Sequence, residues 1–327
     1  MKSTSLIFIV SLLSFSGFSQ VISLEGNWKF HIDDKSSWSL PDFDDSKWGS
    51  IHAPSAWEEE GFNNYDGFAW YRKKFDGRNL DKNEIYYLGL GFIDDCDEVY
   101  LNGKLIGFSG NMPPKFKTAY NTERKYAIPS ALINYNGENL IAIRVFDTVH
   151  GGGIIEGKLG VFEGDQTNHL LVDLQGIWSF TTTRSSETIP KDAVWEKLMV
   201  PGGWDRQGYG RYNGFAWYKK TFTMPSNYNS AIALVVMVGK IDDFDKVYIN
   251  GALVGSTNDH RPLGSSNSYK KQRVYDIPTN LLKTGTNTIE VMVEDIGDYG
   301  GIYEGVVGIT SKTNYEKYFK RGRWDWD

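Results

Sequence analysis

Two stretches of this chain alternate apolar and other residues: Asn139-Leu140-Ile141-Ala142-Ile143-Arg144-Val145 and Asn287-Thr288-Ile289-Glu290-Val291-Met292-Val293. Period-two alternation turns one face of a strand toward a core and the other toward solvent. Shorter apolar runs are cut by turn residues. Glu98-Val99-Tyr100-Leu101 runs into Asn102-Gly103, and Lys104-Leu105-Ile106-Gly107 follows; Asn250-Gly251 occupies the same place later on. Asn-Gly readily takes positive φ at both central positions, which a type I′ hairpin turn requires. An Ile-Pro pair (Ile128-Pro129, Ile277-Pro278) precedes each alternating strand. It leads into Ser130–Leu132 or Thr279–Leu281, short enough for a single helical turn. Long patterns of period 3.6 are missing. The patterning predicts an all-β protein of antiparallel sandwiches.

The pattern is written twice. Leu24-Glu25-Gly26-Asn27-Trp28-Lys29-Phe30 returns as Leu174-Gln175-Gly176-Ile177-Trp178-Ser179-Phe180. Tyr65-Asp66-Gly67-Phe68-Ala69-Trp70-Tyr71 returns as Tyr212-Asn213-Gly214-Phe215-Ala216-Trp217-Tyr218. Ile93-Asp94-Asp95 returns as Ile241-Asp242-Asp243, and Gly152-Gly153-Ile154-Ile155-Glu156 as Gly300-Gly301-Ile302-Tyr303-Glu304, each about 148 residues on. That period is the size of a domain, not of a solenoid repeat. The expected organisation is a first sandwich over residues 20–165, a second over 170–312, and a tail over 313–327.

Residues 1–19 belong to neither copy. Lys2, the apolar run Leu6 to Phe15 and the small residues around Gly17 and Ser19 predict a secretory signal peptide cut near Ser19 or Gln20. The run is too short to span a bilayer, and no membrane span is expected elsewhere. The expected location is therefore exported, periplasmic or secreted. Cys96 is the single cysteine, and its counterpart in the second copy is Phe244, so a small buried side chain is expected rather than a reactive thiol. A net charge of −6 without a basic stripe argues against nucleic acid. With 11 Trp and 19 Tyr, the chain has aromatics both for a core and for platforms under sugar rings.

One ordered set of motifs carries a resemblance. Gly26-x-Trp28-x-Phe30, Pro54-x-x-Trp57, Ala69-Trp70-Tyr71-Arg72, Val99-Tyr100-Leu101-Asn102-Gly103, Gly137-x-Asn139 and Gly152-Gly153-Ile154 all recur in the second copy. The series resembles the N-terminal sugar-binding domain of glycoside hydrolase family 2, a galactose-binding-like jelly roll. It covers residues from about 24 to 162 and from about 174 to 310. The resemblance implies two tandem galactose-binding-like jelly rolls that meet a sugar. That family keeps its two catalytic glutamates in a barrel after these domains, and this chain ends before one, so its hydrolytic pair is not expected here. In size and architecture, a tandem pair of such domains also resembles the oligosaccharide dehydratases of ulvan degradation.

Candidate chemistry gathers in two kinds of loop, each present in both copies. Trp57 to Tyr65 and Trp204 to Tyr212 are polar, glycine-containing segments just before a strand, and the Gly-Gly-Ile-x-Glu segments are expected beside them. Substrate contact is assigned to Trp57, Tyr65, Glu156, Trp204, Arg211, Arg261 and Glu304. Against this stands the plainer reading that both tryptophans plug the core. Elimination from a uronic acid needs a cation on the carboxylate, a base for the C5 proton and an acid for the departing C4 oxygen. His150, Tyr212 and His260 are the candidate catalytic residues, with Arg211 and Arg261 as neutralising partners. Asp94, Asp95 and Asp97, repeated as Asp242, Asp243 and Asp245, offer oxygens to Ca²⁺ but lack the spacing of an EF-hand, so no metal or cofactor is assigned. Two classes of function stay open: a dehydratase acting on an acidic, ulvan-type oligosaccharide or polysaccharide, and a non-catalytic carbohydrate-binding protein with two sites. A third, a structural component of a surface assembly, has no specific support.

Overall fold

The computed structural model describes residues 18–82, 84–164, 169–184, 188–225, 228–258, 267–297 and 299–320. It is all-β, with two sandwiches built to one plan. The first uses β1 (Phe18–Ser23), β2 (Gly26–Ile32), β3 (Gly49–Ala53), β4 (Gly67–Asp76), β5 (Tyr86–Asp94), β6 (Cys96–Leu101), β7 (Lys104–Ser109), β8 (Glu123–Ile128), β9 (Glu138–Asp147) and β10 (Gly153–Gly164). The second repeats them as β11 (Val172–Asp173), β12 (Gly176–Arg184), β13 (Glu196–Val200), β14 (Gly214–Thr223), β15 (Leu234–Asp242), β16 (Phe244–Ile249), β17 (Ala252–Thr257), β18 (Gln272–Ile277), β19 (Thr286–Asp295) and β20 (Gly301–Ser311). Each sandwich packs a six-stranded sheet on a four-stranded one. The orders are β3-β2-β4-β9-β6-β7 with β1-β10-β5-β8, and β13-β12-β14-β19-β16-β17 with β11-β20-β15-β18. Of the predicted signal segment, residues 1–17 lie outside the described residues, and the predicted cut near Ser19 or Gln20 falls inside β1, which pairs with β10.

The alternating stretches form β9 and β19, each paired over ten residues with the strand carrying the Ala-Trp-Tyr motif: Gly67↔Asp147 to Asp76↔Glu138, and Gly214↔Asp295 to Thr223↔Thr286. The Asn-Gly turns have positive φ at both positions, 49° and 79° in the first hairpin, 50° and 81° in the second. The inward residues of β9 and β19 (Ile141, Ile143 and Val145; Ile289, Val291 and Val293) are fully buried. Burying an aliphatic or phenyl side chain contributes about 1.5–3 kcal/mol, and each core also takes in two indoles, Trp28 with Trp57 and Trp178 with Trp204.

The repeated Gly-Gly-Ile motif has a packing cause. Trp57 opens a short 3₁₀ turn, Trp57–Glu60, and its indole lies against the backbone of Gly152 and Gly153. A Cβ on Gly152 would sit 2.5 Å from that ring. A Cβ on Gly300 would sit 2.1 Å from the indole of Trp204. Neither position can carry a larger side chain without moving the indole.

Beneath each Asp-Asp segment lies a buried ion pair. Arg124 Nε donates to Asp97 Oδ1 at 2.7 Å, while its other nitrogens donate to the carbonyls of Ala119, Thr122 and Asp95. Arg273 pairs with Asp245 at 2.6 Å and donates to the carbonyls of Ile241 (2.8 Å) and Asp243 (2.6 Å). Asp97 and Asp245 are thus structural carboxylates. Cys96 is buried beside this network, and burial pushes its thiol up, as the reading of a plain core residue requires.

The tail begins with short helical turns, Lys312–Asn314 and Tyr315–Phe319, and Tyr318 stacks on His169. The two sandwiches meet where Gln175 Nε2 donates to the Tyr87 hydroxyl (2.7 Å) and Lys115 pairs with Glu196 (2.8 Å).

Candidate functional site

A cleft of about 1000 Å³ opens between the two sandwiches. The first contributes the end of β7 (Phe108–Gly110) and the start of β8 with its approach, including Glu123 and Lys125. The second contributes the segment from Met199 to Gln207, the Asp242-Asp243 corner and the Ile296–Glu304 loop. A smaller cavity of about 390 Å³ shares Phe108, Gly110 and Gln207 with it and continues along the same interface past Lys115 and Glu196. The shared lining makes the whole an elongated groove.

Four tyrosines line the cleft: Tyr126, buried and bonded to Asp97, and Tyr269, Tyr299 and Tyr303. Tyr299 is 67% exposed, so its ring is available as a platform. The Tyr303 hydroxyl donates to the Tyr269 carbonyl at 2.7 Å, which fixes the ring. Burial, reinforced by the charge of Glu304, raises the Tyr303 phenol. Around the rings are groups that exchange hydrogen bonds with hydroxyls: Glu123, Lys125, Arg206, Asp242 and Glu304. Rings with forked polar partners in a concavity are what a saccharide requires.

The cleft carries more negative than positive groups. Asp205 is committed: its Oδ2 accepts from Gly300 N at 2.7 Å. Glu304 pairs with Lys240 at 2.9 Å. Asp243 is buried and accepts from Ile296 N at 3.1 Å. Asp242 is pushed up to about 7, first by burial and then by the adjacent Asp243 charge, with Arg273 opposing. At neutral pH it is therefore partly protonated and able to donate. Burial also raises Glu123, against the pull of Lys125.

Of the residues expected from sequence, Glu304 alone lines this cleft among those described. Trp57 and Trp204 correct the platform reading: both are wholly enclosed, packed against Phe30 and Phe180, and present no face to a ligand. Tyr65 and Tyr212 lie against those indoles, and each hydroxyl donates to a nearby carbonyl, Phe68 O at 2.7 Å and Phe215 O at 2.6 Å. Arg211 is exposed at φ 66°, and its backbone N donates to Asp205, so it orients the loop rather than the cleft. Glu156 is exposed on β10 of the first sandwich, and His150 is exposed at φ 72° on its loop end. Neither lines the cleft. His260 and Arg261 lie outside the described residues.

Arg206 and Gln207 sit inside the Trp204 to Tyr212 segment, and Asp242 inside a repeated motif, so both signals were present in the sequence. Glu123, Lys125, Tyr269 and Tyr299 carried none, because they matter only once two domains dock.

Fold and cleft together define a tandem β-sandwich protein with a cleft at the domain junction. The family model for the beta-galactosidase second all-beta domain matches residues 32–151 and again 195–299, one match in each sandwich. The chain belongs to that family. It is similar to a beta-galactosidase of Priestia megaterium (strain DSM 319 / IMG 1521), 24% identical over 153 residues, covering 38% of this chain and 14% of the relative. It is also similar to the beta-galactosidase BoGH2A of Bacteroides ovatus, 27% identical over 93 residues, covering 25% of this chain and 11% of the relative. The matched part is thus a small fraction of either relative's length. Among solved structures, a Bacteroides uniformis beta-glucuronidase aligns at 16% identity and TM-score 0.38, over 85% of this chain and 27% of that one. A beta-glycosidase from Bacteroides vulgatus aligns at 17% and 0.37, over 84% and 29%.

Proposed function

We propose that this chain binds an oligosaccharide in the cleft between its two sandwiches. The observation that carries the reading is the exposed ring of Tyr299 above a concave floor of polar side chains drawn from both domains. Its carboxylates outnumber its cations, which suits neutral hydroxyls better than a polyanion. Calorimetric titration with neutral and uronate-containing oligosaccharides tests it. One site per chain is expected, and Tyr299→Ala should weaken binding about tenfold, because stacking on an aromatic contributes on the order of 1–2 kcal/mol. Binding that is indifferent to Tyr299→Ala and to Arg206→Ala would refute the assignment of the cleft.

A second reading, carbon–oxygen elimination from an acidic oligosaccharide, is favoured by Asp242. A base takes the C5 proton, the C4–O bond breaks as the C4–C5 double bond forms, and the departing oxygen takes a proton. Asp242, partly protonated near neutrality, is suited to give that proton, with Arg206 and Lys125 as the cations for the uronate. Glu304 is the carboxylate base nearest in kind. The roles first assigned to His150 and Tyr212 do not carry over to this cleft. Ultraviolet absorbance of the conjugated product, lost in Asp242→Asn, would establish the reaction; a flat trace beside measurable binding leaves the binding reading alone. Export, taken from the N-terminal segment, belongs to the same proposal and is tested by fractionating expressing cells.

A further inference from the structure

We infer that the first sandwich holds one hard divalent cation, with Ca²⁺ favoured by its tolerance of irregular oxygen sites, on the carboxylates of Asp94, Asp95 and Asp147. Each offers an oxygen, and these oxygens all lie within 4.8 Å of one another. Ca²⁺ takes oxygen ligands at about 2.3–2.6 Å, so oxygens on opposite sides of the ion stand about 5 Å apart. The second observation is Asp147 itself. Its side chain is 0% exposed, yet neither carboxylate oxygen has a hydrogen-bond partner. A buried carboxylate left wholly unpaired is a costly arrangement that a cation removes. Both oxygens of Glu58, one loop away, are likewise shielded and unpartnered. A Cβ on Gly151 would lie 3.7 Å from Glu58 Oε2, and a Cβ on Gly152 3.0 Å from Asp147 Oδ2, so the two carboxylates face successive residues of one loop. Arg124, whose charge acts on Asp94, is committed to Asp97 and three carbonyls.

The second sandwich serves as an internal control. There Asp205 replaces Glu58 and, one methylene shorter, accepts from Gly300 N at 2.7 Å. Asp295, the counterpart of Asp147, accepts from Gly297 N at 3.0 Å. Backbone N–H groups do in the second copy what the first leaves to a cation. Asp97, included in the triplet read from sequence, is bound to Arg124 and Tyr126 instead, and Asp147 from the end of β9 takes its place.

The test uses the full chain stripped of metal and titrated with CaCl₂ alone, MgCl₂ and MnCl₂ serving as size controls. Saturable binding of one Ca²⁺ per chain is expected, with a rise in melting temperature of about 5 °C at saturation. Asp147→Asn and Asp94→Asn should each weaken Ca²⁺ at least about tenfold, by loss of a charged ligand. Asp295→Asn should keep the parental affinity. Circular dichroism establishes that each variant is folded, and the half-buried Asp94→Asn carries the test should Asp147→Asn not fold. No saturable response to any of the three ions, a parental Ca²⁺ affinity in Asp94→Asn, or an equal loss in Asp295→Asn would each overturn the site. No sugar enters the experiment, so its outcome is independent of the cleft.

Discussion

Replacing Asp97 by Asn changes one atom's worth of shape and removes one charge, and it should unfold the first sandwich at markedly lower temperature. Arg124 and Asp97 are both 0% exposed at their side chains. The guanidinium keeps its carbonyl partners Ala119 at 2.6 Å and Asp95 at 3.1 Å, and Asn still presents an oxygen to Tyr126, whose hydroxyl stands 2.5 Å from Asp97 Oδ2. What is lost is the counter-charge. Breaking a buried pair by removing one partner costs about 3–5 kcal/mol, because the remaining ion has already been stripped of water. Against a domain stability of about 5–15 kcal/mol this is a large fraction. At roughly 2–4 °C per kcal/mol for a chain of this size, the transition should fall by about 6–20 °C. The assay is thermal and urea denaturation followed by circular dichroism and by tryptophan fluorescence. The double variant Asp97→Leu with Arg124→Met removes both charges and should recover most of the loss, since two apolar groups carry no desolvation debt. A single variant within about 1 kcal/mol of the parent, or a double variant no better than the single, would refute the assignment of the pair as a buried, uncompensated-on-breaking contact. Asp245→Asn is the same experiment under Arg273. There a second readout is available, because Arg273 holds the carbonyl of Asp243, a residue that lines the cleft.

Gly300→Ala should destabilise the second sandwich by about 1–3 kcal/mol, the cost of overpacking, because the new methyl would meet the Trp204 indole at 2.1 Å; urea midpoints check it, and a neutral effect would show that the indole can move. Asp242 should make stability depend on pH. Its folded value of about 7 lies above the ordinary aspartate value of 3.8, so the folded state binds the proton more tightly. The stabilisation is complete below about pH 4 and is lost as pH rises through about 7, by about 2 kcal/mol once solvent screening at a half-buried site is allowed for. Denaturation midpoints from acid to neutral pH should fall less in Asp242→Asn than in the parent, and equal slopes would contradict the shift.

The fold was legible because its signals are local and repeated. Asn102-Gly103 and Asn250-Gly251 announce hairpins by residue type alone, and the alternation in β9 and β19 assigns a buried face without any knowledge of a partner. The tryptophans show where such reading stops. Residue type says that Trp57 and Trp204 are large and amphipathic; it does not say which way they point. The deciding clue lay 95 residues further on, in Gly152 and its counterpart Gly300, where only glycine leaves room for an indole against the backbone. The cleft was half legible. On the second sandwich, Arg206, Gln207, Asp242 and Glu304 fall in segments that polarity and repetition had already marked, whereas Tyr269 and Tyr299, and Glu123 and Lys125 on an ordinary strand of the first sandwich, become walls only through docking.

Docking also decides how many sites a duplicated chain has. Repetition in sequence suggests two equivalent sites, but equivalence survives only where the copies meet through matching surfaces. Here they do not. The first sandwich offers the edge hairpin strand β7 and strand β8; the second offers its loop end around Gly202, Asp242 and Tyr299. The matching loop end of the first sandwich, with Glu58, Asp94 and Asp147, is absent from the lining of the cleft. The two loop ends are thus released from a common constraint. One closes Asp205 and Asp295 with its own backbone and lends its rim to a shared cleft; the other leaves Glu58 and Asp147 unpaired. A saccharide stoichiometry of one per chain, rather than the avid pair that duplication suggests, follows from that asymmetry.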